Sequence, residues 1–436
     1  MIRRQLGCTL AAIGAVVAAA ELCSAPALAD GRAGERDGAR WVATWATGPA
    51  GPNVGATPQF NNQTVRYIIH TSVGGNQVRV KLSNTFGTDP LVIGSAHVAR
   101  RRAGAQAGAQ AGAQIERASD RRLTFSGVDH VTVPAGALVV SDPVSLDVGA
   151  LSDLAISLYL PQPTAGVTTH VLALQTSFIA AGTGDATGAS DLPGAAQTTS
   201  WEFVTGVDVT VRGGAAVVAL GDSITDGAAS TTDANLRWPN VLAARLQAGR
   251  ATRGLGVIDQ GIIGNRILHP TEPDVGNLFG PAGLARFDRD VLAQAGVAYV
   301  IVLLGINDIG HPGSNAPASD EVSAEEIAAG LRQFVERAHE HGIRVFGATL
   351  TPFENTTLVN FFSPEKEVKR QAVNHWIRTA GAFDAVIDFD AAIRDPGHPA
   401  RILPAFDGGD HLHPSDAGQR AMGEAIPLRL FDDNDR

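Results

Sequence analysis

Residues 213–225 read Gly-Gly-Ala-Ala-Val-Val-Ala-Leu-Gly-Asp-Ser-Ile-Thr, an unbroken apolar run closed by a glycine, an acid and a serine. A short run of small and β-branched residues without polar alternation predicts a strand buried on both faces, as in a parallel sheet covered by helices. Val257–Gln260, Ala298–Leu304, Arg344–Leu350 and Ala385–Phe389 repeat the pattern downstream. Between and after them, amphipathic stretches at Arg237–Gln247, Leu284–Ala295, Ala324–Glu340, Pro364–Ala380 and Ser415–Arg429 predict helices. The alternation predicts a three-layer α/β/α domain with a parallel sheet covered on both faces over residues 213–436, its chemistry placed at the carboxyl ends of the strands.

Upstream the texture changes. From Trp41 to about Arg212 short β-rich runs alternate with Gly, Pro and Asn, which predicts an all-β, sandwich-like domain over residues 41–212. Thr64–His70 and Gln77–Leu82 flank Gly74-Gly75 and predict a hairpin, and Val131–Val133, Leu138–Val140, Leu154–Leu160 and Thr168–Leu174 continue the series. Ala103 to Gln114 repeats Ala-Gly-Ala-Gln three times and predicts a flexible surface loop, since such small residues bury too little area to offset their ordering entropy. Ala180–Thr199 reads as a long connection.

A length of 436 residues predicts two domains, and 44 % hydrophobic with 18 % charged residues excludes a disordered or fibrous chain. Arg3 and Arg4, the apolar stretch Leu10–Ala20 and the small-x-small site Ala27-Leu28-Ala29 predict a signal peptide over residues 1–29, with a polar leader over 30–40. The expectation is a secreted or periplasmic protein; a membrane anchor fits less well, because Glu21 ends the apolar run at a length suited to a signal core. Both cysteines, Cys8 and Cys23, fall in that segment, which excludes a cysteine nucleophile and a disulfide-stapled scaffold in the mature chain. The formal net charge of −10 becomes −11 without the leader's two Arg and one Glu; such a surface repels nucleic acid and anionic membranes. No later segment reaches the roughly 20 apolar residues of a membrane span.

The polar motifs sit at strand ends. Ser223, where the first strand turns into a helix, is exposed to the site and carries a backbone N–H free of intrahelical bonding. The Gly-x-Ser-x-Gly elbow is absent. Asp410, three residues before His413, suits a carboxylate that fixes one ring nitrogen while the other takes a proton from Ser223. Gly261-Ile-Ile-Gly264-Asn265-Arg266 follows the second strand and Gly305-Ile306-Asn307-Asp308 the third; these offer a close backbone approach at Gly264 and a side-chain amide at Asn307 for a tetrahedral oxyanion.

With Gly-Asp-Ser at 221–223, the glycine block at 261–264, Gly-x-Asn-Asp at 305–308 and Asp-x-x-His-Pro at 410–414, the stretch Ala215–Arg429 resembles the SGNH hydrolases, also called GDSL-type esterases and lipases. The resemblance implies Ser223 as nucleophile, Asp410 and His413 as the rest of a triad, and an oxyanion hole of Ser223, Gly264 and Asn307. Trp41-Val-Ala-Thr-Trp45, Leu82-Ser-Asn-Thr-Phe-Gly87 and the preceding β-domain further resemble the xylan-esterase-like branch. The expectation is a serine esterase of carboxylic esters, with O-acetylated polysaccharide such as xylan as candidate substrate and neither cofactor nor metal. The alternatives are a short-chain carboxylesterase or lipase and, from another class, a carbohydrate-binding protein on a hydrolase scaffold.

Simpler readings stand beside these. Gly-Asp-x-x-x-Asp also suits the magnesium site of a haloacid-dehalogenase-type phosphatase, but the upstream Asp-x-Asp strand is missing; Val207-Asp208-Val209-Thr210 has one acid. Asp407, Asp410, His411 and His413 suit a metal cluster, against which Asp410 and His413 already have roles and His411 reads as a bystander. Arg266 and Trp238 read as packing or salt-bridge residues beside the site, Trp41 and Trp45 as core pins rather than a sugar platform, and His339 and His341 as helix-end residues without function. Loops 268–283 and 311–320 are placed to shape substrate access.

Overall fold

The computed structural model describes residues 38–52, 59–102, 112–164, 166–271 and 277–431. The expected signal peptide 1–29, leader residues 30–37 and repeat residues 103–111 lie outside them. Five parallel strands, β1 (Ala215–Gly221), β2 (Leu255–Gly261), β3 (Val297–Leu303), β4 (Arg344–Ala348) and β5 (Ala385–Ile387), form one sheet in the order β2-β1-β3-β4-β5. This is the flavodoxin-like order, whose switch point falls beside β1, between it and β3, where the following helices part to opposite faces. β1 is buried at every position, as its unbroken apolar sequence requires.

Among the described residues eight α-helices accompany the sheet: α1 (Ser223–Asp226), α2 (Trp238–Ala248), α3 (Gly283–Phe287), α4 (Ile306–Gly310), α5 (Ala324–Glu340), α6 (Pro364–Thr379), α7 (Phe389–Ile393) and α8 (Asp416–Ala425). α5 starts at a capping box, in which Ser323 accepts from the Glu326 N–H and Glu326 from the Ser323 N–H. The helix expected over Leu284–Ala295 is α3 running into a π-helical turn at Asp288–Leu292. Phe389, expected as the end of β5, opens α7 instead, because Asp388 caps it by accepting from the Ala391 N–H. α8 stops at Ala425 rather than Arg429, since Ile426 precedes Pro427 and is pushed out of the helical region.

The N-terminal half is antiparallel β. One sheet orders Ala39–Ala46, Val204–Arg212, Gly75–Ser83 and Leu138–Val140, with Val144–Val148 also on Gly75–Ser83. The second orders Ala196–Thr198, Ser177–Ile179, Gln63–His70, Asp153–Leu160, Ser95–Arg100 and Arg121–Arg122. The hairpin expected at Gly74-Gly75 does not form: Gln63–His70 and Gly75–Ser83 lie in different sheets. The glycines serve a crossing, not a tight turn; a Cβ on Gly75 would stand 2.7 Å from the Thr210 carbonyl oxygen and one on Gly74 2.6 Å from that of Val148. The expected strand Thr168–Leu174 shortens to Thr169–His170, paired with Trp201–Glu202.

From Gly38 onward the residues form one unit with a continuous core, in which Val42, Trp45 and Val207 pack with Val217 and Val257. The change of sheet near Arg212 is bridged by Gly213-Gly214 alone. The β-half meets the parallel sheet at β2 and at the turn before β3: Val257 N–H donates to Ser72 Oγ at 2.9 Å and Ala43 N–H to the Ala295 carbonyl at 2.9 Å. Among the described residues, no helix is long and apolar enough to cross a membrane.

Candidate active site

β1 ends at Gly221, and Asp222 turns the chain into α1 by accepting the Ile224 N–H on Oδ1 at 3.0 Å. Ser223 is thereby the first helical residue, at the carboxyl end of the strand beside the switch point. Its Oγ lies 2.8 Å from His413 Nε2, and His413 Nδ1 lies 2.5 Å from Asp410 Oδ2. Asp410 Oδ1 accepts the backbone N–H groups of Leu412 and His413 at 3.0 and 2.8 Å. Burial alone would raise the Asp410 pKa, but the His413 ring and these backbone donors outweigh it and hold the carboxyl well below its ordinary range. An ionised Asp410 selects the tautomer with hydrogen on Nδ1, which leaves Nε2 open to accept the Ser223 proton.

Two further strand ends, those of β2 and β3, neighbour the end of β1 in the sheet. Gly264, after β2, has φ +70°. Asn307, after β3 and on α4, donates from Nδ2 to the Asn265 carbonyl at 3.0 Å; an amide nitrogen carries two hydrogens, so one remains for another acceptor. Asp308 accepts the Ile267 and Leu268 N–H groups at 2.7 and 3.0 Å, and so ties the segment after β2 to α4. Its carboxyl is pushed up to about 6 and that of Asp222 to about 7, in both cases mainly by burial.

Supporting residues that sequence reasoning missed surround these motifs. Arg286 of α3 is fully buried and donates to the Gly221 carbonyl (2.8 Å), the Gln260 carbonyl (2.8 Å), Asn265 Oδ1 (2.9 Å) and Asp290 (3.0 Å), so it joins the ends of β1 and β2. His170, from the β-half, lies 3.0 Å from Asp226 Oδ1 at the end of α1 and 3.0 Å from the Gly48 carbonyl, stacked on Trp201. Burial opposes its charge, but Asp226 and Gly48 prevail and raise its pKa. His311 donates from Nε2 to the Gly264 carbonyl at 3.1 Å. A lone Arg or His in a chain of 436 residues carries no local pattern; only His311, four residues beyond Asn307, was within reach as the next turn of a helix.

Ser223, His413 and Asp410 are thus joined directly, and Gly264 and Asn307 are held on the segments that follow the neighbouring strands β2 and β3. Arg266 is a packing residue: it pairs with Asp320 at 2.8 Å and donates to the Pro270 carbonyl, linking the loops after β2 and β3. Trp238 is fully buried against Phe389. Trp41 lies under Arg79, and Trp45 is buried edge-on to Trp201, so neither forms an exposed platform. Asp407 pairs with His411 and Asp410 with His413, two separate pairs; among the described residues no group of three or more His, Cys, Asp or Glu is placed to hold a metal. His339 pairs with Asp384, and His341 caps α5.

A doubly wound sheet with a Ser–His–Asp hydrogen-bond chain at its strand ends is an arrangement chemically capable of acyl transfer. Residues 219–421 match the model of the GDSL-like Lipase/Acylhydrolase family, so this stretch carries a GDSL-like acylhydrolase domain and the activity it supports is ester hydrolysis. Comparison with curated proteins gives no match. Among solved structures the chain is similar to the aryl esterase of M. smegmatis (18% identity over 50% of this chain and 98% of that one, TM-score 0.38). It is also similar to an acetylxylan esterase of Geobacillus stearothermophilus (22%, 50% and 94%, TM-score 0.36) and a GDSL-like lipase of Bacteroides thetaiotaomicron VPI-5482 (19%, 50% and 87%, TM-score 0.35).

Proposed function

We propose that this chain is an exported serine esterase of short-acyl esters, with Ser223, His413 and Asp410 as its triad. The observation that carries the reading is the continuous chain Ser223 Oγ–His413 Nε2 (2.8 Å), His413 Nδ1–Asp410 Oδ2 (2.5 Å). His413 takes the Ser223 proton as Oγ attacks the ester carbonyl, and Asp410 stabilises the imidazolium. The tetrahedral oxyanion is held by the Ser223 and Gly264 N–H groups and the second hydrogen of Asn307 Nδ2. His413 returns the proton to the leaving alcohol, and water releases the acid by the same steps in reverse role.

O-acetylated polysaccharide is the favoured substrate, on the whole-chain resemblance to the xylan-esterase-like branch, and export rests on the leader read at residues 1–29. The test is p-nitrophenyl acetate hydrolysis by wild type and Ser223→Ala, followed by acid release from acetylated xylan, aryl esters and triglycerides. Activity that survives Ser223→Ala unchanged refutes the nucleophile; release from triglycerides but not from xylan refutes the substrate.

A further inference from the structure

The segment after β2 has an unusual need. Gly264 at φ +70° lacks the Cβ that would confine its backbone, and glycine populates both hands of φ about equally. An oxyanion donor works only if its N–H is aimed before the reaction, so something outside Gly264 must hold it. Two groups do. The Phe279 ring lies against its α-carbon, where a Cβ would come within 2.2 Å of Cδ1. The His311 ring holds its carbonyl, Nε2 to oxygen at 3.1 Å.

His311 is built for this contact. Its own N–H donates to the Asn307 carbonyl at 3.0 Å, so it sits one turn beyond Asn307. The two side chains reach consecutive carbonyls, Asn307 that of Asn265 and His311 that of Gly264. The imidazole is 3% exposed, stacked on Phe279 at 5.0 Å and 20° and met edge-on by Phe361 at 5.4 Å and 89°. A carbonyl only accepts, so Nε2 must carry the hydrogen; Nδ1 is buried and has no partner among the described residues, which suits a bare nitrogen and not an N–H. Burial, aided by Arg266 and Lys366, pulls the ring's pKa down to about 4 and keeps it neutral.

We propose that His311 is a positioning residue of the oxyanion hole, fixing Gly264 through the Nε2–H bond to its carbonyl so that the Gly264 N–H points at the reacting carbonyl oxygen. The inference rests on the assignment of Gly264 as an oxyanion donor within the serine-esterase reading.

The test separates ring from donor. His311→Phe keeps the aromatic stack and loses the hydrogen bond; His311→Gln keeps an amide donor near the place of Nε2 and loses the ring. With p-nitrophenyl acetate, His311→Phe is expected to lower kcat by about 10- to 30-fold with KM within about twofold, a misaimed donor costing less than the roughly 10²- to 10³-fold of a deleted one. Inhibition by phenylboronic acid, whose serine adduct presents a tetrahedral oxygen to the same donors, should weaken by a similar factor. His311→Gln should recover kcat to within about threefold of wild type. Wild-type kcat in His311→Phe, or a loss in His311→Gln as large as in His311→Phe, overturns the proposal. If either variant fails to melt cooperatively, ¹⁵N-histidine NMR of the wild type decides: a neutral ring protonated on Nε2 supports it, and one protonated on Nδ1 overturns it. Full activity in Ser223→Ala would overturn the nucleophile reading beneath it, a failure distinct from that of His311.

Discussion

Asp410→Asn tests the site through a single atom. The two carboxylate oxygens have different neighbours: Oδ1 accepts the N–H groups of Leu412 and His413, and Oδ2 faces His413 Nδ1 at 2.5 Å. In the asparagine variant the amide oxygen is drawn to the two backbone donors, which leaves the NH₂ facing Nδ1. Nδ1 must then accept, the ring proton moves to Nε2, and an N–H points at Ser223 Oγ where a lone pair is required. The opposite amide orientation restores the tautomer but gives up both backbone bonds and sets donor against donor. At about 0.5–1.5 kcal/mol per bond plus the cost of unpaired buried N–H groups, that orientation lies roughly 3 kcal/mol or more higher and is populated below about 1 %. The variant also lacks the charge that stabilises the imidazolium.

Together these predict a fall in kcat of about 10³- to 10⁴-fold, or about 4–5.5 kcal/mol of transition-state stabilisation at about 1.36 kcal/mol per decade. KM should change little, because the Asp410 carboxyl bonds Leu412 and His413 and its backbone bond to Thr357 is untouched by the substitution. The assay is p-nitrophenyl acetate turnover, with thermal melting to show that the loop is intact. A folded Asp410→Asn enzyme that keeps more than about a tenth of wild-type kcat would refute the assignment of the base and of its orienting acid.

The other predictions draw on the residues around this chain. Gly264→Ala forces φ +70° on an L-residue and drives a Cβ to within 2.2 Å of the Phe279 ring; melting temperature should fall, and kcat should drop by at least about a hundredfold, with wild-type kcat refuting the oxyanion role. His170→Asn removes the group that anchors Asp226. Since the folded-state pKa of His170 is raised above 6.5, its stabilisation is whole below that value and is lost as pH rises through the raised one, so urea unfolding should show a wider gap between wild type and variant near pH 6 than near pH 9. Burial pushes Asp222 from 3.8 up to about 7, so its folded form holds a proton that the unfolded chain releases, and its contribution to stability declines as pH rises between those values. Asp222→Asn, which keeps an oxygen to cap Ile224, should flatten that decline in unfolding free energy, and an unchanged slope would refute the buried-acid argument.

The parallel sheet was legible because β1 to β4 are largely buried on both faces and spell themselves mostly in Val, Ala, Ile and Leu; Ala215–Leu220 and Arg344–Leu350 fall within two residues of β1 and β4. α5 matches the expected Ala324–Glu340 at both ends, since its apolar stripe starts at a capping box. The motif residues were legible as well, because a strand end followed by a helix start fixes where Ser223 and Asn307 must lie. The pairing of the β-half was not. Gly74-Gly75 has the same local chemistry in a hairpin as in a crossing between sheets, and only Val148 and Thr210, far along the chain, decide between them. His170 and Arg286 escaped for the same reason: their partners, Asp226 and Gly221, lie 56 and 65 residues away.

Those two residues bear on why a hydrolase sheet is fused to a β-half at all. The Ser223 turn is a strand end, one residue of cap and a single helical turn, too short to hold itself by its own backbone bonds. Arg286 fixes its start by binding the Gly221 carbonyl, and His170 fixes its end by binding Asp226, three residues past Ser223. The first comes from the α/β layer and the second from the strand pair Thr169–His170 and Trp201–Glu202, which also places Trp201 under the His170 ring. The β-half is therefore part of the scaffold that sets the position of Ser223 Oγ, and the continuous core beneath it is the physical means: a shift of the Ala39–Ala46 strand along β2 would carry Gly48, the second partner of His170, with it.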